Sequence, residues 1–117
     1  MDIPEWVGNH NFYKWRQQLK AELYTKRNGL SDLSGIPLLT CHMHEGIISR
    51  AVVPKSVRWH FLIYHEFNCY LLNQEEHIPN PPPRSWAINL SYERYGRDAV
   101  REWFYGLPWK VVPFQLP

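Results

Sequence analysis

The chain has only two cysteines among its 117 residues, Cys41 and Cys69. Two cysteines are too few for a four-cysteine zinc ribbon, and we expect both to be reduced and buried, because disulfides are rare in cytosolic proteins. No apolar run approaches the length of a signal peptide or a membrane span. The sequence therefore predicts a soluble, cytoplasmic protein without a membrane partner.

The net charge is also small, at +2, so the overall charge does not indicate a nucleic-acid partner. Its distribution is uneven, however. Residues 10–30 have five basic side chains against Glu22 alone, whereas residues 61–80 have three glutamates and no lysine or arginine. A basic flank beside an acidic, histidine-bearing segment suits a polyanion held against a metal site, and a solvated helix face is the alternative interpretation.

Length and apolar content predict a single domain over residues 1–117. A basic first helix is predicted at about 10–27, capped by Asn9 or Asn11 and ended by Asn28-Gly29. Its apolar residues recur at spacings of three and four and form one stripe. The stripe consists of Phe12, Trp15, Leu19 and Leu23.

The middle and end of the chain alternate between short elements and breakers. A first strand is predicted near 38–44, and a second strand soon after Gly46, because Ile47-Ile48 favour an extended backbone. The remaining elements are predicted at 56–64 (a helix capped by Ser56, or a strand), 67–72 (a strand), 74–78 (a helical turn), 84–95 and 98–105 (helices), and 109–117 (an extended tail).

One stretch combines histidine, carboxylate and amide side chains. The pair His44-Glu45 precedes two branched aliphatic residues, and Asn68 opens a short apolar run, with His77 nine residues after the asparagine. This arrangement resembles the HNH nucleases over about the middle third of the chain, most closely in Asn-x-x-x-Leu followed by His after five residues. The His-Glu form, and the segment 95–108 that follows, are similar to phage-type members.

The resemblance implies an α+β fold with a small ββα-metal (His-Me finger) nuclease core at about 38–80. The core would be flanked by the N-terminal helix and by C-terminal helices at about 84–106. In the family the last helix of the motif usually continues past the histidine, and some members have a further ligand one turn later. Here that position is Pro81, which cannot bind a metal.

The resemblance also implies roles for four residues. His44, Glu45 and Asn68 would be catalytic, and the same three with His77 would bind one divalent metal ion. In the family the asparagine either positions the base or helps to bind the metal. Mg²⁺ or Mn²⁺ is expected, with Zn²⁺ or Ni²⁺ as alternatives. Such an ion neutralises charge on the phosphate and assists the leaving oxygen, while a neutral histidine is a suitable base.

The His-Glu pair leaves three assignments open. If His44 is the general base, the preceding ligand position holds Met43, a poor ligand for a hard metal. If His44 is the ligand, Glu45 is the base; in the third arrangement His44 is the base and Glu45 binds the metal. His42 lies on the same strand face as His44 and is a supplementary ligand candidate.

DNA is the expected partner. Arg50 and Arg84 are candidates for phosphate binding, as is the basic face of the first helix with Lys14, Arg16 and Lys20. The remaining histidines, which are expected to be structural or exposed, are His10, His60 and His65.

The sequence therefore predicts a metal-dependent DNA endonuclease or nicking enzyme of phage origin, acting in the host cytoplasm. Two alternatives remain: an HNH-fold module that binds DNA or protein without turnover, and a zinc ion with a purely structural role. Because each chain has one catalytic unit, double-strand cleavage would need a homodimer or two successive nicks.

Overall fold

The computed structural model describes residues 3–112 and 114–117. Over these residues the chain is an α+β domain with five α-helices and a two-stranded antiparallel sheet, as the α+β prediction requires. None of the described helices combines the length and the apolar character needed to cross a membrane. The elements are α1 (Asn9–Lys26), β1 (His42–Glu45), α2 (Val57–Ile63), β2 (Cys69–Leu72), α3 (Gln74–His77), α4 (Arg84–Tyr95) and α5 (Arg97–Tyr105), with 3₁₀ turns at Arg50–Val52 and Trp109–Val111.

The apolar stripe of α1 packs against the core as predicted. Phe12 and Leu23 are buried, and Trp15 and Leu19 are partly buried beside them. The predicted cap is wrong, because the helix starts after Gly8, whose backbone is extended and which has no side chain to cap it. Asn11 instead donates from Nδ2 to the carbonyl oxygen of Trp6 at 3.1 Å.

The partner of β1 differs from the prediction. A second strand was expected soon after Gly46, but β1 pairs with β2, which begins more than twenty residues later, with His42 opposite Leu72. Ile47 and Ile48 are fully buried outside the sheet. Their backbone N–H groups are bound by a side chain of the loop that leads into β2, so they cannot extend β1 into a hairpin.

The connection between β1 and β2 contains α2, so the alternative of a third strand at 56–64 is wrong. Ser56 caps this helix, as predicted, with its Oγ accepting a hydrogen bond from the N–H of Arg58 at 3.3 Å. The chain then enters β2, and α3 follows directly after Asn73. Because β2 pairs with β1, this order brings α3 against β1.

Asp32 ties the far side of β2 to two helices. Its carboxylate accepts hydrogen bonds from Arg27 and Arg94, both at 2.6 Å, and from the N–H of Leu71 at 2.6 Å. Its own N–H donates to the Leu71 carbonyl at 2.9 Å, as a neighbouring strand would. The free edge of β2 is therefore covered by a loop that also fixes the C-terminal end of α1 against α4.

The C-terminal segment is not the extended tail predicted for 109–117, of which residue 113 lies outside the described residues. Val111 and Leu116 are buried. The N–H of Leu116 donates to the Tyr105 hydroxyl at 3.0 Å, and Arg101 donates to the carbonyl of Leu116 at 3.2 Å. The apolar side chains fold the segment back onto α5, which simple spacing rules do not detect.

Candidate functional site

A cleft of about 730 Å³ opens at the C-terminal end of β1. Its walls come from the end of β1, the loop up to α2, the end of α3 and the start of α4. The residues that line it are His44, Glu45, Gly46, Ile47, Ser49, Arg50, Ala51, Val53, Lys55, His60, His77, Pro81, Pro82 and Arg84. Five predicted site residues thus share one cavity although up to forty positions separate them in the sequence.

Three histidines meet beside this cleft. His42 and His44 are two residues apart on β1, which places them on the same face of the strand. α3 brings His77 to that face, with 3.1 Å between the Nδ1 atoms of His42 and His77 and 5.0 Å between the ring centroids of His44 and His77. One of these two Nδ1 atoms donates the hydrogen bond and the other accepts it, according to the tautomers of the two rings.

His44 has an unsatisfied ring nitrogen. Its Nε2 atom is buried and has no hydrogen-bond partner. Burial lowers the pKa of His44 below its ordinary value, the neighbouring His77 lowers it further, and Glu45 acts in the opposite direction. The ring is therefore neutral near pH 7, which is the form that serves as a general base or a metal ligand.

The pKa of His77 is lowered in a similar way, first by burial and then by His42, with Glu45 opposing both. His60 has a lowered pKa through burial and the nearby Arg50, and again Glu45 raises it. Glu45 is thus close enough to influence three histidines of the site. It is the central acidic group of the cleft.

Glu45 is held from the core side by a phenol. The Tyr64 hydroxyl donates a hydrogen bond to Oε1 of Glu45. Burial raises the pKa of Tyr64, and the charge of Glu45 raises it further, so the phenol keeps its proton. The guanidinium of Arg16 lies 5.1 Å from the centroid of the Tyr64 ring.

The turn after Glu45 requires glycine because of close packing. A Cβ atom at position 46 would lie 2.6 Å from the Ala87 Cβ atom and 2.7 Å from Cε2 of Tyr70. Gly46 therefore lets α4 approach the end of β1. That approach brings Arg84, at the start of α4, to the same cleft as Glu45.

Asn68 is fully buried and does not line the cleft. Its Oδ1 accepts hydrogen bonds from the N–H groups of Ile47 and Ile48 at 2.8 Å, and its Nδ2 donates to the carbonyls of Ile48 at 3.0 Å and Ile63 at 2.9 Å. With both ends of the amide engaged, Asn68 is not placed to bind a metal or touch a substrate. It fixes the backbone that follows Glu45, which agrees with a positioning role only.

The predicted phosphate-binding residues divide into two groups. Arg50 and Arg84 line the cleft, whereas none of the three predicted residues of α1 does. Lys14 is exposed on α1, and Arg16 is directed toward Tyr64. Lys20 lies with Cys41 in a shallow depression elsewhere on the surface.

Two residues of the cleft were missed by the sequence analysis. Lys55 was not singled out, and His60 was expected to be structural or exposed, yet both line the cleft beside Arg50. The signal in the sequence was their position between the two halves of the motif. A connection between two antiparallel strands starts and ends beside the C-terminal end of the first strand, which here is the end of β1. His65 is structural as predicted: its Nδ1 accepts the Phe67 N–H at 3.1 Å, and its ring stacks on Trp103.

The residues partly fit a metal ion. Within residues 3–112 and 114–117, no three His, Cys, Asp or Glu side chains are already arranged as a metal site. However, the 3.1 Å between the Nδ1 atoms of His42 and His77, which a hydrogen bond accounts for in this structure, is also within the roughly 3.0–3.4 Å expected for two deprotonated nitrogens bound at about 2.1 Å to one ion. A side-chain rotation of His44 or Glu45 would have to supply the third ligand.

The chemistry of these donors bears on which ion would bind. Imidazole nitrogens suit Zn²⁺ and Ni²⁺, whereas Mg²⁺ takes oxygen ligands almost exclusively. The predominance of histidine therefore favours Zn²⁺ or Ni²⁺ over the Mg²⁺ or Mn²⁺ expected from the sequence.

Comparisons of the chain with known protein families, with curated proteins and with solved structures gave no match.

Proposed function

We propose that this chain is a metal-dependent DNA endonuclease or nicking enzyme with an HNH-type site in the cleft at the end of β1. One observation carries the proposal. The neutral histidines His44 and His77, the carboxylate of Glu45 and the cations Arg50 and Arg84 all line a single cleft. The order strand, loop, strand, short helix, with His44-Glu45 on the first strand and His77 on the helix, supports a ββα-metal core.

In the proposed mechanism, Arg50 and Arg84 bind the phosphates on either side of the scissile bond, with Lys55 beside them. His44 lines the cleft and removes the proton from the attacking water, for which its lowered pKa is suited. His77, His42 and Glu45 would hold one divalent ion. When bound, the ion would neutralise charge on the phosphate and assist the departing oxygen.

The test is nicking of a supercoiled plasmid by purified protein with Mg²⁺, Mn²⁺, Ni²⁺ or Zn²⁺, and with a chelator. We expect cleavage only with added metal, and loss of cleavage in His77→Ala without loss of the fold. Gln74→Ala is the matched control, because Gln74 is exposed on the same short helix and lies outside the cleft. Full activity in excess chelator would overturn the metal mechanism.

A DNA-binding module without turnover is the second candidate. It is favoured by the lack of a ready three-ligand metal group in the described part of the chain and by proline at position 81. This candidate predicts salt-sensitive DNA binding that is independent of metal, with no nicking in any of the four ions.

A further inference from the structure

The side chain of Arg84 connects the cleft to the C-terminal segment. Arg84 is the first residue of α4 and lines the cleft, and it also lines a smaller depression of about 320 Å³ together with Phe114. Its guanidinium carbon lies over the Phe114 ring, 4.0 Å from the ring centroid. Within the described part of the chain, this is the shortest contact between a cation and an aromatic ring.

The ring of Phe114 is fixed independently of the arginine. Its centroid lies 5.2 Å from that of Phe104, a fully buried residue of α5. Two residues further on, the N–H of Leu116 donates to the Tyr105 hydroxyl at 3.0 Å and so attaches the segment to the same helix. The packing of the C-terminal segment against α5 therefore sets where the ring lies, and the exposed side chain of Arg84 rests on it.

This contact orders the arginine without using its hydrogen-bond donors. Among residues 3–112 and 114–117, the Arg84 side chain has no ion-pair or hydrogen-bond partner. A guanidinium has five N–H donors, and a phosphate oxygen pair takes two of them in a bidentate contact. An aromatic ring over the guanidinium restricts its rotamers and leaves these donors available to an anion.

We propose that Phe114 is a positioning residue that holds Arg84 at the cleft for contact with a nucleic-acid phosphate. The C-terminal segment is then part of the binding site, although Phe114 does not itself line the cleft. This inference rests on the proposed function in one respect, that nucleic acid occupies the cleft, and it requires neither a metal ion nor turnover. Ordering a flexible side chain before binding increases affinity by about 2–10-fold.

The experiment measures the affinity of the chain for a fluorescein-labelled DNA duplex by fluorescence anisotropy at low salt, with a chelator present to prevent metal-dependent cleavage. Phe114→Leu removes the aromatic ring and keeps an apolar contact for Phe104. We expect affinity to fall by about 2–10-fold, whereas Phe114→Tyr, which retains an aromatic face, should bind as wild type does. Wild-type affinity in Phe114→Leu would overturn the proposal. Phe114→Met replaces Phe114→Leu if circular dichroism shows that the latter does not fold, and the same loss is expected.

A double-mutant cycle tests whether the effect passes through Arg84. In the Arg84→Ala background, Phe114→Leu should change affinity little further, because the group that it positions is absent. In the Arg50→Ala background the full loss should remain, since no contact links Phe114 to Arg50 within the described residues. Additive losses in the Arg84→Ala background would mean that Phe114 acts by another route and would overturn the inference.

Tyr92→Leu is the matched control. The guanidinium of Arg97 lies 5.8 Å from the centroid of the Tyr92 ring, and the Tyr92 hydroxyl donates to the carbonyl of Pro117 at 2.9 Å. The change thus removes an aromatic contact with an arginine and one attachment of the C-terminal segment, both away from the cleft. It should lower the free energy of unfolding measured in urea and leave DNA affinity at the wild-type value. Equal losses of affinity in Tyr92→Leu and Phe114→Leu would show a general effect of loosening the segment and would overturn the proposal.

Failure of this inference is distinguishable from failure of the proposed function. A wild-type chain that binds DNA and nicks it with metal, beside a Phe114→Leu variant of equal affinity, overturns the positioning role alone. A wild-type chain that binds DNA without nicking it in any of the four ions, beside a weakened Phe114→Leu variant, overturns the endonuclease and supports the positioning role. A wild-type chain that does not bind DNA overturns both.

Discussion

Two carboxylates lie beside the sheet in contrasting surroundings. The side chain of Asp32, at the edge of β2, is 1% exposed and accepts hydrogen bonds from Arg27, Arg94 and the Leu71 N–H. Glu45, at the end of β1, accepts from the neutral phenol of Tyr64 and influences three histidines around an open cleft. The charge of Asp32 is balanced by two arginines, and these contacts stabilise the fold. Glu45 lies in the wall of an open cleft, where we propose that it binds a metal ion.

The largest difference should appear in stability. Asp32→Ala leaves Arg27, whose side chain is 8% exposed, without its counter-charge, and breaking such a buried pair costs about 3–5 kcal/mol. Glu45→Gln keeps an acceptor for Tyr64 and should cost less than about 1.5 kcal/mol. Urea unfolding followed by circular dichroism measures both.

Asp32→Asn serves if Asp32→Ala does not fold, because it keeps the shape and one acceptor oxygen while removing the charge. Arg94→Ala is the milder comparison, since that side chain is 30% exposed. Equal losses of stability in the Asp32 and Glu45 variants would remove the distinction between the two carboxylates.

The second prediction separates the roles of His44 and Glu45. His44→Ala should reduce the nicking rate by about 10²–10⁴-fold and change metal affinity little, because a base acts on the rate. Glu45→Gln should weaken metal binding, with activity partly restored at high metal. Nicking rates beside calorimetric metal titrations measure both, and added imidazole should rescue only His44→Ala. The opposite pair of outcomes would make Glu45 the base.

The third prediction extends the comparison to the arginines. Arg50 and Arg84 line the open cleft, whereas Arg94 is engaged by Asp32. Each of Arg50→Ala and Arg84→Ala should lower the slope of log affinity for DNA against log salt by about one unit, because one phosphate contact is lost.

Arg94→Ala is the matched control and should leave that slope unchanged. Combined replacement of Lys14 and Lys20 by alanine tests the exposed face of α1, which was also predicted to bind phosphate. If it lowers the slope while Arg50→Ala and Arg84→Ala do not, DNA lies against α1 rather than in the cleft.

The smallest effect concerns a histidine that is satisfied, in contrast to His44. Burial lowers the pKa of His65, partly opposed by Glu66, and its Nδ1 accepts the Phe67 N–H. His65 therefore takes up a proton more readily in the unfolded chain than in the folded one. The free energy of unfolding should fall as the pH drops below about 6.5 and should level off below the folded-state pKa of His65.

Urea unfolding at pH 7.5 and at pH 5 compares wild type with His65→Asn, which keeps a side-chain acceptor for the N–H two residues later. The variant should lose less stability between the two pH values than wild type does. The same loss in both would assign the pH dependence to other histidines.

The features that sequence analysis predicted well are local ones. Residue spacing, capping residues and helix-breaking residues within one element predicted four features. These are the stripe of α1, the Ser56 cap of α2, the strand β2 and the limits of α4. The spacing between Asn68 and His77 likewise spans a short strand and one helical turn, so it placed His77 correctly on α3.

Apart from the N-terminal cap of α1, the errors concern contacts between distant parts of the chain. Ile47 and Ile48 have a high strand propensity, but the Asn68 side chain binds their N–H groups and removes them from the sheet. Asn68 was predicted either to position the base or to help bind the metal, and its buried hydrogen bonds agree with the first of these roles and not with the second. Arg16 has the helical position of a solvent-facing cation, yet the ring of Tyr64 lies beneath it.

The sequence by itself determined the helices and strands with strong local signals, and the residue types from which a nuclease site could be built. The tertiary structure decided which strand pairs with β1. It also decided that Asp32 is paired with arginines whereas Glu45 faces the cleft, and that Lys55 and His60 line the cleft. The physical reason is that propensity and capping depend on residues within one or two turns. Burial, ion pairing and hydrogen bonds between side chain and backbone depend on which distant segments meet, and a 1% exposed aspartate beside two arginines exists only after they have met.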